Sequence, residues 1–136
     1  MTGRLTFGKK ERLTQHLLID RLFADGSSFN LGPFKVFYLS HSHSGEFDAR
    51  ILIAVPRRKF KHAVDRNRLK RLIRESYRLN KQPLLDNLHQ ASVKMHIGFV
   101  FIGNSAEIEF TEVEKKMVLC IQKLIGRLDA ASSNNV

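Results

Sequence analysis

Apolar positions along the chain switch between a helical and a strand-like period, and the switches mark the elements. Leu13, Leu17 or Leu18, Leu22 and Phe23 fall on one side of a helix. Asp25-Gly26-Ser27-Ser28 ends it, with Gly26 suited to the left-handed C-terminal conformation. Residues 29–33, Phe-Asn-Leu-Gly-Pro, read as a turn, with a short strand around residues 28–30. Residues 34–39, Phe-Lys-Val-Phe-Tyr-Leu, have strand composition. Residues 47–55 form the next strand, and the run Ile51-Leu52-Ile53-Ala54-Val55 predicts a central strand buried on both faces. Pro56 stops it. A helix begins near Ala63 and closes at Gln82-Pro83, and residues 84–91 add a turn or short helix. Residues 96–102 read as a further strand. Thr111 and Glu114 have capping-box spacing ahead of a helix carrying Val113, Met117, Ile121, Leu124, Ile125 and Leu128 on one stripe. Residues 1–11 predict an irregular basic arm, and residues 130–136 a frayed polar tail.

The predicted order is helix, two or three strands, helix, strand, helix. That order implies an α/β fold of the α+β kind, with one sheet and helices packed on it. No repeat or linker divides the chain, so residues 1–136 are expected to form a single domain.

Composition narrows the function. Apolar residues make up 43% of the chain, which suits a folded core. Lys and Arg number 23 against 13 Asp and Glu, a formal charge of +10 that attracts polyanions. No segment has the length and apolarity of a membrane span, and the first ten residues lack the apolar core of a signal peptide. The single Cys120 forms no internal disulfide and seeds no zinc site. A reducing, cytoplasmic location is the expectation.

Most of the charge lies in one stretch. Residues 57–78 hold ten basic side chains, Arg57, Arg58, Lys59, Lys61, Arg66, Arg68, Lys70, Arg71, Arg74 and Arg78, against only Asp65 and Glu75. A solvated helix face carries mixed signs, so a one-signed stretch asks for an external counter-charge. At about 100° per residue, Arg66, Asn67, Lys70, Arg71, Arg74 and Arg78 share one side of the helix. Leu69, Leu72, Ile73 and Ser76 lie opposite. Phosphates fit such a row, because Arg grips them bidentately. A membrane-surface helix would also be basic and amphipathic, but the sheet needs this apolar face. Asn67 adds no charge, yet it both donates and accepts hydrogen bonds.

The string Ala63-Val64-Asp65-Arg66-Asn67-Arg68-Leu69-Lys70-Arg71-Leu72-Ile73-Arg74-Glu75 resembles the signature of the bacterial ribonuclease P protein subunit. Residues 18–26, 34–39 and 50–55 are similar to that family's first helix and two of its strands, and the likeness covers roughly residues 8–128. The resemblance implies a two-layer sandwich of order αβββαβα, a mixed four-stranded sheet and a left-handed crossover, where general rules favour a right-handed one. It implies a protein that assists a catalytic RNA in Mg²⁺-dependent removal of the 5′ leader of precursor tRNA. Such a chain is an endoribonuclease only within the holoenzyme, contributes no catalytic residue, needs no other protein partner, and leaves Mg²⁺ mainly to the RNA. Arg57, Arg58, Lys59, Lys61, Arg66, Asn67, Arg68, Lys70, Arg71 and Arg74 would contact the RNA. Phe23, Lys35 and Phe37 would line a cleft for the single-stranded leader. Three positions depart from the family pattern. Pro56-Arg57-Arg58 replaces the usual Ser-Lys-Lys, Asp65 replaces an apolar or neutral residue and is suited to cap the helix, and Ile19 stands where an aromatic is frequent.

Other groupings favour plainer explanations. His41 and His43 form His-x-His beside Glu46 and Asp48, but ordinary surface residues alternate in the same way. His62, Asp65 and Glu75 suggest acid-base chemistry, yet the two carboxylates fall on different sides of the cationic face and would not converge. Phe99, Phe101, Phe110 and Cys120 fit a core. A ribosomal or ribosome-assembly RNA-binding protein remains the alternative function, and an autonomous metal-dependent nuclease the third.

Overall fold

The computed structural model describes residues 7–41 and 47–134. Its elements are α1 (His16–Asp25), β1 (Ser27–Leu31), β2 (Phe34–His41), β3 (Ala49–Ala54), α2 (Ala63–Asn80), α3 (Gln82–Ala91), β4 (Lys94–Phe101) and α4 (Phe110–Asn134). The strands form one mixed sheet in the order β1-β2-β4-β3. The β1–β2 and β2–β4 pairs are antiparallel, and β3–β4 is parallel. A parallel pair cannot be closed by a hairpin, so the chain crosses between β3 and β4 through α2 and α3. The α+β class and the order αβββαβα agree with the sequence, and α3 is the added short helix.

Strand side chains alternate between faces, and the two faces of this sheet have different fates. Phe34, Val36, Ile51, Ile97, Phe99 and Phe101 are fully or nearly fully buried under the large helices. Toward them α2 turns Leu69, Ile73 and Tyr77, and α4 turns Val113, Met117, Cys120, Ile121, Leu124 and Leu128. A relay of ring contacts runs through this core: Phe7–Tyr77 at 5.8 Å, Tyr77–Phe99 at 5.9 Å, Phe34–Phe99 at 6.2 Å, Phe34–Phe101 at 6.3 Å and Phe60–Phe101 at 5.7 Å. The relay ties the N-terminal segment at one end to the basic loop, through Phe60, at the other. On the opposite face α1 packs on β2 and β4, and Lys35, Phe37, Leu39, Leu52, Ala54 and Val100 stay half-exposed.

Several sequence expectations give way. The helix starts at His16, not Leu13. Leu13 is instead drawn to the sheet edge, where its N–H donates to the Ile51 carbonyl at 2.9 Å beside an Arg12–Ile51 bridge. The described part of the N-terminal arm is not irregular. Residues Lys9–Glu11 form a 3₁₀ turn, and the buried Glu11 carboxylate accepts from Lys81 Nζ at 2.8 Å. Gly26 has φ −75°, not a left-handed value. Glycine is required there by close approach, since a Cβ would lie 2.3 Å from the Leu22 carbonyl oxygen and 2.9 Å from that of Tyr38. Gly32, at φ +57°, is the left-handed residue of the β1–β2 turn. The run at residues 51–55 is an edge strand, and the central strand is β4, buried at five consecutive positions, residues 95–99. His96 and Gly98 break the apolar run of β4 in the sequence and hide its position. The Thr111 capping box is absent because α4 already begins at Phe110, and Glu114 bonds Asn80 instead. Helix α4 also continues to Asn134, into the stretch read as a tail, with no Gly or Pro after Gly126 to stop it.

Candidate nucleic-acid interface

The amphipathic pattern of α2 fixes which cations reach solvent. Leu69, Ile73, Ser76 and Tyr77 are buried, at the helical spacing i, i+4, i+7 and i+8. The cations leave from the other side, and they divide into two sets. Lys70, Arg71 and Arg74 form no hydrogen bond or ion pair with protein among the described residues. Exposed Asn67 is likewise unbonded among them.

Arg66 and Arg68 are engaged internally. Arg66 Nη1 donates to the carbonyls of Phe60 and Lys61, each at 2.8 Å, which folds the basic loop back onto the helix start. Arg68 donates to the carbonyls of Ala106 and Ile108, the latter at 2.9 Å, and so holds the loop between β4 and α4. Lys59 serves the same loop through the Ile102 carbonyl at 2.7 Å and Asn104 Oδ1 at 3.2 Å. The expectation of one outward row from Arg66 to Arg78 is thus corrected at its ends. Arg78 is bound to Glu75 at 2.7 Å, and its hydrogen bond holds the Glu75 carboxyl below the usual carboxylate range. The acceptors of Arg66 and Arg68 are neutral carbonyls, so both guanidinium charges stay uncompensated.

The basic loop is set by a turn after Pro56, whose carbonyl accepts from the N–H groups of Lys59 and Phe60. Phe60 is buried, while Arg57, Arg58 and Lys61 are exposed. Asp65 does not cap α2, because His62 occupies the N-cap position and no side chain bonds there. In the first turn it still complements the helix dipole.

The second expected cluster assembles on the open face. Phe23 and Phe37 meet edge to face with ring centroids 4.7 Å apart, and Lys35 Nζ stands 5.4 Å from the Phe37 centroid. Leu22, buried beneath α1, anchors Phe23 there, and its Cδ2 would lie 3.3 Å from a Cβ at Gly98. Phe37 is in register with Gly98, and Gly98 with Leu52, so the missing side chain at Gly98 makes room for Leu22 beside the aromatic pair.

The remaining candidates separate. His43 and Glu46 lie outside the described residues, as does the side chain of His41. Asp48 is taken by Lys94 at 3.1 Å. Asp65 and Glu75 sit ten residues apart on α2, about 15 Å along its axis, too far to share one reacting group. Phe99, Phe101 and Cys120 are core, and burial pushes the Cys120 thiol up to about 12. Among the described residues no three His, Cys, Asp or Glu side chains gather into a metal site. No described helix is long and apolar enough to cross a membrane. Phe7 and Arg12, which border the cation row, were not foreseen; the one signal is that Phe7 is the only aromatic before Phe23.

The fold is one shared by solved RNase P proteins. It is similar to the Staphylococcus aureus RNase P protein, with TM-score 0.66, 22% identity and coverage of 86% of this chain and 99% of that one. It is also similar to the RNase P protein of Thermotoga maritima, with TM-score 0.63, 24% identity and coverage of 83% and 96%. In sequence, the ribonuclease P protein component of Porphyromonas gingivalis is 34% identical over 138 residues, covering 99% of both chains. The family model described as Ribonuclease P matches residues 7–125. The chain belongs to the ribonuclease P protein component family, whose members serve tRNA 5′ processing as a subunit of an endoribonuclease.

Proposed function

We propose that this chain binds the catalytic RNA of ribonuclease P through α2 and the loop before it, and guides the 5′ leader of precursor tRNA across the open face of its sheet. The observation that carries the reading is the trio Lys70, Arg71 and Arg74, three cations on one rigid rod that no described carboxylate bonds directly. Phosphodiester oxygens complete their hydrogen bonding, with Arg57, Arg58 and Lys61 of the exposed loop beside them. Arg66 and Arg68 add field while shaping the surface. Asn67 supplies a neutral amide for RNA hydroxyls or hydrated ions.

The leader reading rests on Phe23, Phe37 and Lys35. Two rings and an ammonium give single-stranded RNA base stacking and a phosphate contact without demanding a sequence. Hydrolysis, with Mg²⁺ as its metal, belongs to the RNA in this reading. The protein contributes binding, orientation and screening of phosphate repulsion.

The test is reconstitution. Purified chain alone is expected to leave precursor tRNA uncut, and with the cognate RNA to support 5′ cleavage at low Mg²⁺ faster than RNA alone. Cleavage by the protein alone would favour an autonomous nuclease. An RNA whose rate ignores the protein would favour a ribosomal role. Binding should weaken with salt, log K falling by roughly 0.7–0.9 per log unit of salt for each phosphate neutralised.

A further inference from the structure

Beside the cation row lies a cavity of about 220 Å³ between α2, the edge of β3 and the N-terminal segment. Its walls are chemically divided. Lys70 and Arg74, one helical turn apart, stand on one side, and Arg12 enters from the N-terminal segment. No carboxylate lines it among the described residues. Its remaining lining is apolar apart from the Thr14 hydroxyl, with Phe7 among it and the Arg12 guanidinium 5.9 Å from the Phe7 ring centroid. The edge of β3 forms part of the lining, and Leu13 bonds it only at Ile51 among the described residues. Since strand groups alternate in direction, Ile53 presents its N–H and carbonyl to the same edge as Ile51.

An inorganic anion would satisfy the three cations and leave the apolar wall and strand edge unused. An apolar ligand would leave the cations without counter-charge. A nucleotide uses all of them: phosphate against Lys70, Arg74 and Arg12, a flat base against the Phe7 and Arg12 side, and a base edge within reach of strand polar groups. We infer that this cavity receives one unpaired nucleotide of the bound RNA, turned out of its helix, with Arg12 and Phe7 as recognition residues outside the α2 motif. The inference rests on the RNA-binding reading above. It divides that surface into phosphate contacts along α2 and one pocket that reads a base.

The segment that supplies Phe7 and Arg12 is held for this task. Glu11 is buried against Lys81, Leu13 is bonded to Ile51, and Phe7 packs edge to face on Tyr77. A pocket wall fixed in advance costs less ordering on binding.

Two measurements test it. In the first, adenosine 5′-monophosphate is titrated into the free protein and followed by NMR, beside inorganic phosphate and adenosine. The expected result is that the monophosphate shifts Phe7, Arg12 and Ile53 resonances at roughly tenfold lower concentration than either fragment. Arg12→Gln, a change at an exposed side chain, should weaken it roughly tenfold, as loss of a charge-assisted bond does. Phosphate binding equally well, or shifts confined to other residues, would overturn the base-reading site. In the second, catalytic RNA carrying 4-thiouridine is cross-linked to the full-length chain. Cross-links within residues 7–14 support the inference. Their absence while the RNA still binds would overturn the pocket and leave the α2 reading intact, whereas an RNA that does not bind at all would overturn both.

Discussion

Arg68 and Arg71 stand three positions apart on one helix and are interchangeable in any count of charge, yet they do different work. Arg68 bonds two carbonyls of the loop between β4 and α4, while Arg71 is exposed and bonds nothing among the described residues. Arg66 sides with Arg68, and Lys70 and Arg74 with Arg71. A cationic motif is therefore two devices, a clamp that shapes the surface and a row that the protein leaves without bonds of its own among the described residues. Helical periodicity cannot separate them, because the acceptors of the clamp come from residues 60, 61, 106 and 108, on loops outside the helix.

Substitutions separate clamp from row, and the largest effect belongs to a third kind of cation on the same rod. Lys81 follows α2 and is buried with Glu11, their side chains 5% and 4% exposed. Lys81→Met strands a carboxylate in the core and should cost about 3–5 kcal/mol in urea unfolding. Arg68→Ala should come next, at about 1.5–3 kcal/mol, because two part-buried carbonyls lose a charged donor. If it instead leaves stability unchanged and weakens only RNA binding, the clamp is not a clamp.

The leader face gives a comparable effect in binding rather than folding. Phe23→Ala should lower affinity for precursor tRNA with a leader by about 1–3 kcal/mol and spare mature tRNA. Equal losses for both substrates would remove the leader reading.

The row itself should be nearly silent in folding. Arg71→Ala with Arg74→Ala is expected to change stability by about 0.5 kcal/mol or less per site. The same pair should flatten the salt dependence of RNA binding by roughly 0.7–0.9 per cation. Arg66→Ala is the less suitable partner in such a pair, since it also releases the Phe60 and Lys61 carbonyls.

The smallest effect is the Glu75–Arg78 pair. The native Glu75 carboxyl titrates below its ordinary 4.5, so the pair stabilises fully above that pH and is lost as pH falls through the depressed native value. Because both groups face solvent, Glu75→Gln should move the melting temperature only marginally at pH 7 and not at all in strong acid.

The order of elements, the start of α2 near Ala63 and its buried stripe were legible from periodicity, because helix and strand repeats are local. So was the excess of cations at residues 57–78, and the resemblance of residues 63–75 pointed to the family before any fold was known. Phe23, Lys35 and Phe37 came from that resemblance, and the fold brings them within reach of one another.

Tertiary structure decided the rest, wherever a residue's role depends on a partner far along the chain. Strand order placed β4 at the centre and the more apolar β3 at the edge, because burial follows from neighbours as well as from side-chain type. Gly26 is required by a carbonyl of Tyr38 across the β1–β2 hairpin, and Glu11 is buried because Lys81 arrives beside it. Sequence alone determined that ten like charges would sit on and beside one amphipathic helix, since spacing and composition are properties of the chain. Which of those charges the protein keeps for itself, and which remain for a ligand, was decided by carbonyls that folding brought within hydrogen-bond distance.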